Sequence, residues 1–197
     1  MELCVFQGTF NPIHKIHIKV AEFVKQNYDF NKILFIPAFI PPHKSVDKNL
    51  AIHRYNMVKL AIDGIDGFEV SDIEYKRNEN SYTYHTILEL KKIYDIKDKI
   101  HFIIGTDAFE KIETWYETNK LKELVHFIVF PRTDKFNKND FEHLKAKGYD
   151  FEFAKMDYVN VSSTDLRDKV KNNASIDTIE INRVKEYIEK HGLYLNW

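Results

Sequence analysis

The segment Gly8-Thr9-Phe10-Asn11-Pro12-Ile13-His14-Lys15-Ile16-His17 joins an apolar run, Leu3–Phe6, to a run with helical spacing of apolar residues from Ile18 to Val24. A turn between a first strand and a first helix lies where open α/β sheets bind ligands, at the carboxyl ends of the strands. The N–H groups at the start of a helix attract anions, and two histidines three residues apart share one face of that helix. The segment therefore predicts a cradle for the phosphates of a nucleotide.

Short apolar runs alternate with amphipathic stretches along the chain, which is typical of a parallel sheet with crossover helices. We expect an α/β fold: a Rossmann-like, doubly wound, mostly parallel sheet with flanking helices and a small C-terminal helical part. The predicted strands are Leu3–Phe6, Lys32–Ile36, Phe68–Val70, Ile100–Ile104, His126–Phe130 and Phe151–Phe153. The predicted helices are Ile16–Asn27, Leu50–Ile62, Tyr84–Tyr94, Asp107–Ile112, Lys120–Leu124, Asp140–Lys147, Ser163–Lys171 and Ile179–His191, the last starting at Asp177 or Thr178 and stopped by Gly192.

Length and charge limit the kind of protein this is. A chain of 197 residues predicts one domain over residues 1–197, and a net charge of −1 gives no general attraction to nucleic acid or to an anionic membrane. Cys4 is the single cysteine, which rules out an intramolecular disulfide and argues against a zinc–thiolate cluster. No apolar run approaches the ~20 residues that span a bilayer, and the N-terminus lacks the features of a secretory signal. We therefore expect a cytoplasmic protein without a nucleic-acid or membrane partner.

The opening segment resembles the first signature of the nucleotidyltransferase superfamily, roughly GTFDPxHxGH. Residues Val161–Arg167, which read VSSTDLR, resemble the second signature, ISSTxxR. Further motifs between them are similar to those of bacterial nicotinate-nucleotide adenylyltransferases and occur in the same order. They are Ile36-Pro37, Pro41-Pro42-His43-Lys44, Arg54 with Met57, Ser81-Tyr82-Thr83, Ile103-Ile104-Gly105-Thr106-Asp107, Trp115 and Phe130-Pro131-Arg132.

Three residues depart from the pattern of that family. Gln7 stands where the family usually has Gly, Asn11 where it usually has Asp, and Ile16 where it usually has Gly. The branched side chain of Ile16 either crowds the neighbouring His17 or packs beneath the helix. Both histidines of the signature remain, so we expect activity to be retained.

The resemblance implies adenylyl transfer from ATP to nicotinate mononucleotide, giving deamido-NAD and pyrophosphate. The attacking phosphate is already anionic near neutral pH, so the protein must mainly align two like-charged reactants and neutralise the charge that moves onto the leaving group. The implied cofactor is Mg²⁺, held mainly by the ATP phosphates and water. No run of residues resembles a zinc site, and no protein-held metal is predicted.

The resemblance also assigns the ATP side of the site. His14 and His17 would meet the α- and β-phosphates, and Arg167 would offer a bidentate fork one turn into its helix. The alternatives from the residues alone are a polar turn or metal ligands for the histidines, and an ordinary helix cap for the serines. Catalysis is thus expected from His14, His17 and Arg167, and ATP binding from Gly8, Thr9, Phe10, His14, His17, Ser162, Ser163, Thr164 and Arg167.

On the acceptor side, the resemblance implies that Trp115 stacks on the pyridine ring, through stacking and cation–π attraction. Backbone N–H groups near Thr83 and Tyr116 would donate hydrogen bonds to the nicotinate carboxylate. From the residues alone, Trp115 and Tyr116 are equally well explained as core or surface aromatics, and Asp107 as a plain helix cap. Arg132 and Lys44 are equally well explained as solvated surface cations. The implied mononucleotide-binding residues are Thr83, Asp107, Trp115, Tyr116, Arg132 and Lys44, with Asp107 at the ribose and Arg132 at the phosphate.

Two other functions compete with this interpretation. One is an adenylyltransferase for a different acceptor, nicotinamide mononucleotide or phosphopantetheine; the phosphopantetheine enzymes are typically shorter and carry Thr at the position of His14. The other is a non-catalytic nucleotide-binding module, which only the departures at Asn11 and Ile16 favour. The preference for acid over amide and the oligomeric state, a homo-oligomer included, stay open. Outside the site, Glu74 and Arg77 are expected to form a structural pair or to support the aromatic loop.

Overall fold

The computed structural model describes residues 3–42, 47–133, 135–158, 163–172, 174 and 181–195. Within them lie the strands β1 (Leu3–Gly8), β2 (Lys32–Pro37), β3 (Phe68–Val70), β4 (Ile100–Gly105), β5 (Val125–Phe130) and β6 (Phe151–Phe153). The α-helices are α1 (Lys15–Asn27), α2 (Ala51–Ile62), α3 (Ile73–Arg77), α4 (Thr83–Ile93), α5 (Thr106–Phe109), α6 (Thr118–Leu121), α7 (Glu142–Ala146), α8 (Ser163–Lys171) and α9 (Asn182–His191). Short 3-10 helices cover Lys48–Leu50, Ile112–Thr114 and Lys138–Phe141.

The described strands form one sheet in the order β3-β2-β1-β4-β5-β6. Each neighbouring pair runs parallel. This is the strand order of a doubly wound sheet, and the order reverses between β1 and β4. The Rossmann-like prediction is confirmed, and all six predicted strands are present. The carboxyl ends of β1 and β4 therefore flank the crevice in which such folds bind their ligands.

Both faces of the sheet are buried, each under its own apolar cluster. Successive side chains of a strand point to opposite faces, so Phe6 packs with Val24 of α1 on one side while Val5 packs with Ile87 of α4 on the other. This double burial explains why the strands read as continuous apolar runs. Cys4 is buried in the first cluster, and burial raises the pKa of its thiol far above its ordinary value.

Several helix predictions need correction. The short helix α3, five residues long, was not predicted. The helix predicted over Asp107–Ile112 is wrong in extent, because α5 ends at Phe109 and a separate 3-10 turn begins at Ile112. The last helix begins at Asn182 after an extended Ile181, and the proposed starts at Asp177 and Thr178 lie outside the described residues. Packing against the sheet, rather than a periodic apolar pattern in the sequence, determines where such short helices begin and end.

The end of α9 follows the prediction. Gly192 adopts φ 59°, the left-handed conformation that glycine takes without a steric penalty, and it terminates the helix. Beyond it, the side chain of Tyr194 is 4% exposed, and its hydroxyl donates a hydrogen bond of 2.8 Å to Asn11 Oδ1. The C-terminal helical part is thereby attached to the first signature. No helix in the described part of the chain is both long and apolar enough to cross a membrane.

Candidate active site

A cavity of about 800 Å³ opens at the carboxyl ends of β1 and β4. Its volume lies in the range of about 300–1,000 Å³ that small-molecule sites occupy. Lys44 and Ser162 lie outside the described residues, and His14 does not line the cavity. The other predicted site residues all line it: Gly8, Thr9, Phe10, His17, Thr83, Asp107, Trp115, Tyr116, Arg132, Ser163, Thr164 and Arg167.

The loop after β1 is shaped by Gly8 and held by Arg54. A Cβ at Gly8 would lie 3.0 Å from Cζ of Phe10, whose ring folds back over the glycine. Arg54 of α2 is fully buried and donates hydrogen bonds to the carbonyl oxygens of Thr9 at 3.0 Å, Phe39 at 3.0 Å and Ala38. The guanidinium thus joins the loop after β1 to the loop after β2. Arg54 matches the pattern of the resembled family, but the resemblance implies no role for it. Its place on the inward face of a predicted helix was the available signal that it is buried.

The two histidines of the first signature take different positions. His17 lines the cavity, and His14 lies behind it with the two ring centroids 3.8 Å apart. Nδ1 of His17 accepts a hydrogen bond of 3.2 Å from the backbone N–H of His14. Because Nδ1 acts as the acceptor, a neutral His17 ring carries its proton on Nε2. His17 is therefore fixed in orientation and tautomer at the start of α1.

His14 is held as a neutral ring in this structure. It is fully buried, and among the described residues neither ring nitrogen has a hydrogen-bonding partner. Burial lowers the pKa of His14 to about 4; the charge of Arg132 acts in the same direction, while Asp165 opposes it. A phosphate brought close to this ring would favour the charged form instead. The direct contact between His14 and phosphate stays a prediction, because the side chain lies one layer below the cavity wall.

The second signature packs directly on the first. Ser163 Oγ donates a hydrogen bond of 2.9 Å to the carbonyl oxygen of Pro12. Arg167 donates to the carbonyl oxygen of Asn11 at 2.7 Å and to Thr164 Oγ1 at 3.2 Å. These bonds place the first turn of α8 and a guanidinium at the mouth of the β1–α1 loop. Helix N–H groups together with an arginine make an arrangement that favours phosphate.

The side of the cavity that the sequence predicts to bind the acceptor is bounded by the start of α4 and by the aromatic pair Tyr82 and Tyr116. Thr83 is 8% exposed at the first position of α4, after an extended Tyr82. The ring of Tyr116 lies 4.5 Å from that of Tyr82, and Tyr116 is 44% exposed. The indole of Trp115 is partly buried and meets the ring of Phe102 edge-on at 6.4 Å. The start of α4 and flat aromatic surfaces thus line the same side of the cavity.

The turn after β4 contacts Arg132 through Thr106 and Asp107. A Cβ at Gly105 would come within 2.7 Å of both Arg132 Cγ and Asp107 Oδ1, so a larger residue here would force these two side chains to shift. Thr106 Oγ1 accepts a hydrogen bond of 3.0 Å from the backbone N–H of Arg132. The guanidinium Nε of Arg132 lies 3.8 Å from Asp107 Oδ1. Asp107 is therefore paired with a cation and lies in the first turn of α5, where Gly105 occupies the cap position.

Some lining residues were not predicted. Ser81, Tyr82, Lys111 and Thr114 line the cavity, and Lys111 adds a cation to its lining. No local pattern separates Lys111 from the many surface lysines of this chain, so only the fold reveals it. Gln7, one of the departures from the family pattern, also lines the cavity. Ile16 does not crowd His17: it is 8% exposed and packs in the apolar cluster beneath α1.

The described residues contain no group of three or more His, Cys, Asp or Glu side chains placed to hold a metal ion. Asp107 is the carboxylate among the described lining residues, and it already faces Arg132. This donor set fits an ion that arrives coordinated by a nucleotide, which is how Mg²⁺ commonly enters phosphate sites.

Comparisons with known proteins agree with this geometry. The model of the cytidylyltransferase-like family matches residues 5–169. The chain is 35% identical to a protein of Caldicellulosiruptor saccharolyticus, with 98% of this chain and 99% of the relative aligned, and 37% identical to one of Fusobacterium nucleatum, with 96% and 98% aligned. Both relatives are named probable nicotinate-nucleotide adenylyltransferase.

Solved structures show the same fold. The Plasmodium falciparum nicotinic acid mononucleotide adenylyltransferase complexed with NaAD superposes with a TM-score of 0.81 over 98% of this chain and 97% of that chain, at 21% identity. The same enzyme complexed with APC gives a TM-score of 0.78 at 20% identity, with coverages of 98% and 96%. From its near-full-length relatives and its two signatures on one cavity, the chain belongs to the nicotinate-nucleotide adenylyltransferase family, within the cytidylyltransferase-like nucleotidyltransferases.

Proposed function

We propose that this protein transfers the adenylyl group of ATP to nicotinate mononucleotide, forming deamido-NAD and pyrophosphate in NAD biosynthesis. The observation that carries the proposal is the junction of the two signatures: Arg167 donates to the carbonyl oxygen of Asn11, so both line one cavity at the switch point of the sheet. The opposite wall presents Trp115 and the start of α4, which suit a flat cationic ring that carries a carboxylate.

In the proposed reaction, an oxygen of the mononucleotide phosphate attacks the α-phosphorus of ATP. A new P–O bond forms, the bond from the α-phosphorus to the bridging oxygen breaks, and pyrophosphate leaves with that oxygen. Arg167 and the first turn of α8 would bind the β- and γ-phosphates and neutralise charge that grows on the leaving group. His17 would donate from Nε2 to the α- or β-phosphate, and Thr9 and Phe10 would add backbone N–H groups.

On the acceptor side, Arg132 would hold the mononucleotide phosphate in line with the α-phosphorus, and Asp107 would accept from a ribose hydroxyl. Trp115 would stack on the pyridine ring, while backbone N–H groups at Thr83 and Tyr116 would bind its carboxylate. These contacts orient the attacking oxygen, which is the largest requirement of the reaction because the nucleophile is already anionic. Lys44 remains a proposed acceptor-side cation outside the described residues.

Mg²⁺ is the proposed cofactor, bound to the ATP phosphates and neutralising their charge when present. The other proposals concern the whole molecule: residues 1–197 act as one domain, the protein works in the cytoplasm, and ATP and nicotinate mononucleotide are its small-molecule substrates, without a nucleic-acid or membrane partner.

The experiment that tests this function is release of pyrophosphate from ATP and nicotinate mononucleotide with Mg²⁺. The wild-type protein is expected to turn over, and His17→Ala to lower kcat by about 100-fold, since one lost donor to a phosphoryl transition state costs about that much. His143→Ala is the control, because the His143 side chain is half exposed on α7 and pairs with Glu113. Near wild-type turnover in His17→Ala would remove the assigned role of that residue.

A further inference from the structure

Glu74 is a buried carboxylate close to the cavity, but it does not line the cavity. It lies on α3 and is fully buried. Burial raises the pKa of its carboxyl, while hydrogen bonds from Ser81, Thr86 and the Phe39 backbone and the charge of Arg77 act in the opposite direction. A buried carboxylate is costly unless hydrogen-bonded, so its donors show what the residue holds together.

These donors come from different parts of the fold. Gln7 Nε2 donates to Oε1 at 2.5 Å from the end of β1. The backbone N–H of Phe39 donates to Oε2 at 3.2 Å from the loop after β2. Thr86 Oγ1 donates to Oε1 at 2.7 Å from α4, and Arg77 lies 3.9 Å away on the same helix as Glu74. One carboxylate therefore joins a strand end, a loop and a helix.

Each of these partners adjoins a residue that lines the cavity. Gln7 precedes Gly8, and Phe39 follows Ala38. Thr86 lies one turn after Thr83, so its hydroxyl fixes the first turn of α4. Ser81 adds another link between the loop after β2 and the segment before α4, because its Oγ accepts a hydrogen bond of 3.0 Å from the N–H of Ile40. The position of the α4 N-terminus relative to the β1 end thus depends on Glu74.

We propose that Glu74 is a positioning residue that sets the selectivity for the acid form of the mononucleotide. It holds the first turn of α4 at the distance from the Gly8 turn at which the Thr83 backbone N–H meets the carboxylate of nicotinate. The inference rests on the proposed function, which places that carboxylate at the start of α4. A donor held in place discriminates between an acid and an amide; a displaced donor discriminates less. Glu74 acts through Thr86 and Ser81 and does not touch the substrate.

The test is the ratio of kcat/KM for nicotinate mononucleotide to kcat/KM for nicotinamide mononucleotide. This ratio cancels the concentration of folded enzyme, so a variant that is only less stable leaves it unchanged. Thr86→Val removes the hydroxyl that Glu74 accepts, and Thr86→Ser retains it; the side chain is fully buried and lies off the cavity wall. Ile87→Val is the matched control, because Ile87 is the next residue on α4, is equally buried and packs only in the apolar cluster.

Thr86→Val is expected to lower the ratio about fivefold, the effect of one displaced hydrogen bond. Thr86→Ser and Ile87→Val are expected to keep the wild-type ratio, and Glu74→Gln to lower it further if that variant folds. An unchanged ratio in Thr86→Val, or an equal drop in Ile87→Val, overturns the inference while the proposed function stands. A wild-type enzyme that shows no preference for the acid overturns the proposed function itself, and the inference with it.

Discussion

Arg167 and Asn11 lie 156 residues apart in the chain, and the guanidinium of Arg167 donates a hydrogen bond of 2.7 Å to the carbonyl oxygen of Asn11. This bond fixes the first turn of α8 against the loop after β1. Arg167 also lines the cavity, where the proposed function needs a cation for the leaving group.

Arg167→Lys is expected to lower kcat/KM for pyrophosphate release by about 100-fold. Lysine keeps the positive charge but loses the planar fork, which must bridge the Asn11 carbonyl and a phosphate together. The control is Arg183→Lys, because Arg183 on α9 makes an exposed ion pair of 2.7 Å with Asp63, the residue that follows α2. Equal effects in both variants, measured by steady-state kinetics, would contradict the role of Arg167.

The stability of the ligand-free protein is expected to depend on His14 below neutral pH. Burial first, then the charge of Arg132, lowers the pKa of His14 to about 4, against an ordinary value of 6.5. The unfolded chain therefore binds the proton first, so the contribution of the neutral ring is complete above pH 6.5 and is lost as the pH falls toward 4. Between pH 6.5 and pH 5 the loss amounts to about 2 kcal/mol.

The measurement is urea unfolding of the wild type and His14→Gln at pH 7, 6 and 5. His14→Gln has no titrating ring, so its free energy of unfolding should fall less steeply over this range. Glu74 is present in both proteins, and the comparison therefore removes its own titration. Parallel curves for the two proteins would show that His14 does not titrate with a lowered pKa.

Trp115→Ala is expected to raise KM for nicotinate mononucleotide about tenfold and to leave KM for ATP within about twofold, since a stacked aromatic is worth about 1 kcal/mol beyond its buried area. Trp115→Phe keeps an aromatic face at the same place, so its KM for nicotinate mononucleotide should lie between those of the wild type and Trp115→Ala. The measurement is a pair of substrate titrations for each variant. A rise in KM for ATP as large as that for the mononucleotide would remove Trp115 from the acceptor side.

Ile16→Gly, which installs the residue usual in the family, is expected to destabilise this protein. Ile16 is 8% exposed in the cluster beneath α1, so the change deletes buried apolar atoms and lowers helix propensity, together about 3 kcal/mol. Ile52→Gly on α2 is the control, because Ile52 is 53% exposed and loses mainly the propensity. Chemical unfolding of both variants measures the difference, and equal losses would contradict the packing role of Ile16.

The strands could be predicted because strands buried on both faces leave continuous apolar runs. The two signatures could be recognised because their residues resemble the motifs of a known family. The short helix α3 could not be predicted, since five residues make too little periodic pattern, and nothing in the sequence shows that Glu74 is fully buried. The expected pairing of Glu74 with Arg77 is confirmed at 3.9 Å.

The relative depth of the two histidines was also hidden from the sequence. Their spacing predicts one helix face, yet His14 precedes α1 as its cap residue while His17 lies within the helix. The pKa of His14 also responds to the charges of Arg132 and of Asp165 on α8, which are distant along the chain. Contacts of that kind depend on tertiary packing, as does the hydrogen bond between Tyr194 and Asn11.

The most direct test of the proposed activity is to incubate the protein with ATP and Mg²⁺ and offer nicotinate mononucleotide, nicotinamide mononucleotide and phosphopantetheine at equal concentration. Products are identified by mass and pyrophosphate is quantified in parallel. We predict deamido-NAD as the main product, formed one-to-one with pyrophosphate. A main product from either of the other acceptors, or no product from any of the three, would contradict the assignment.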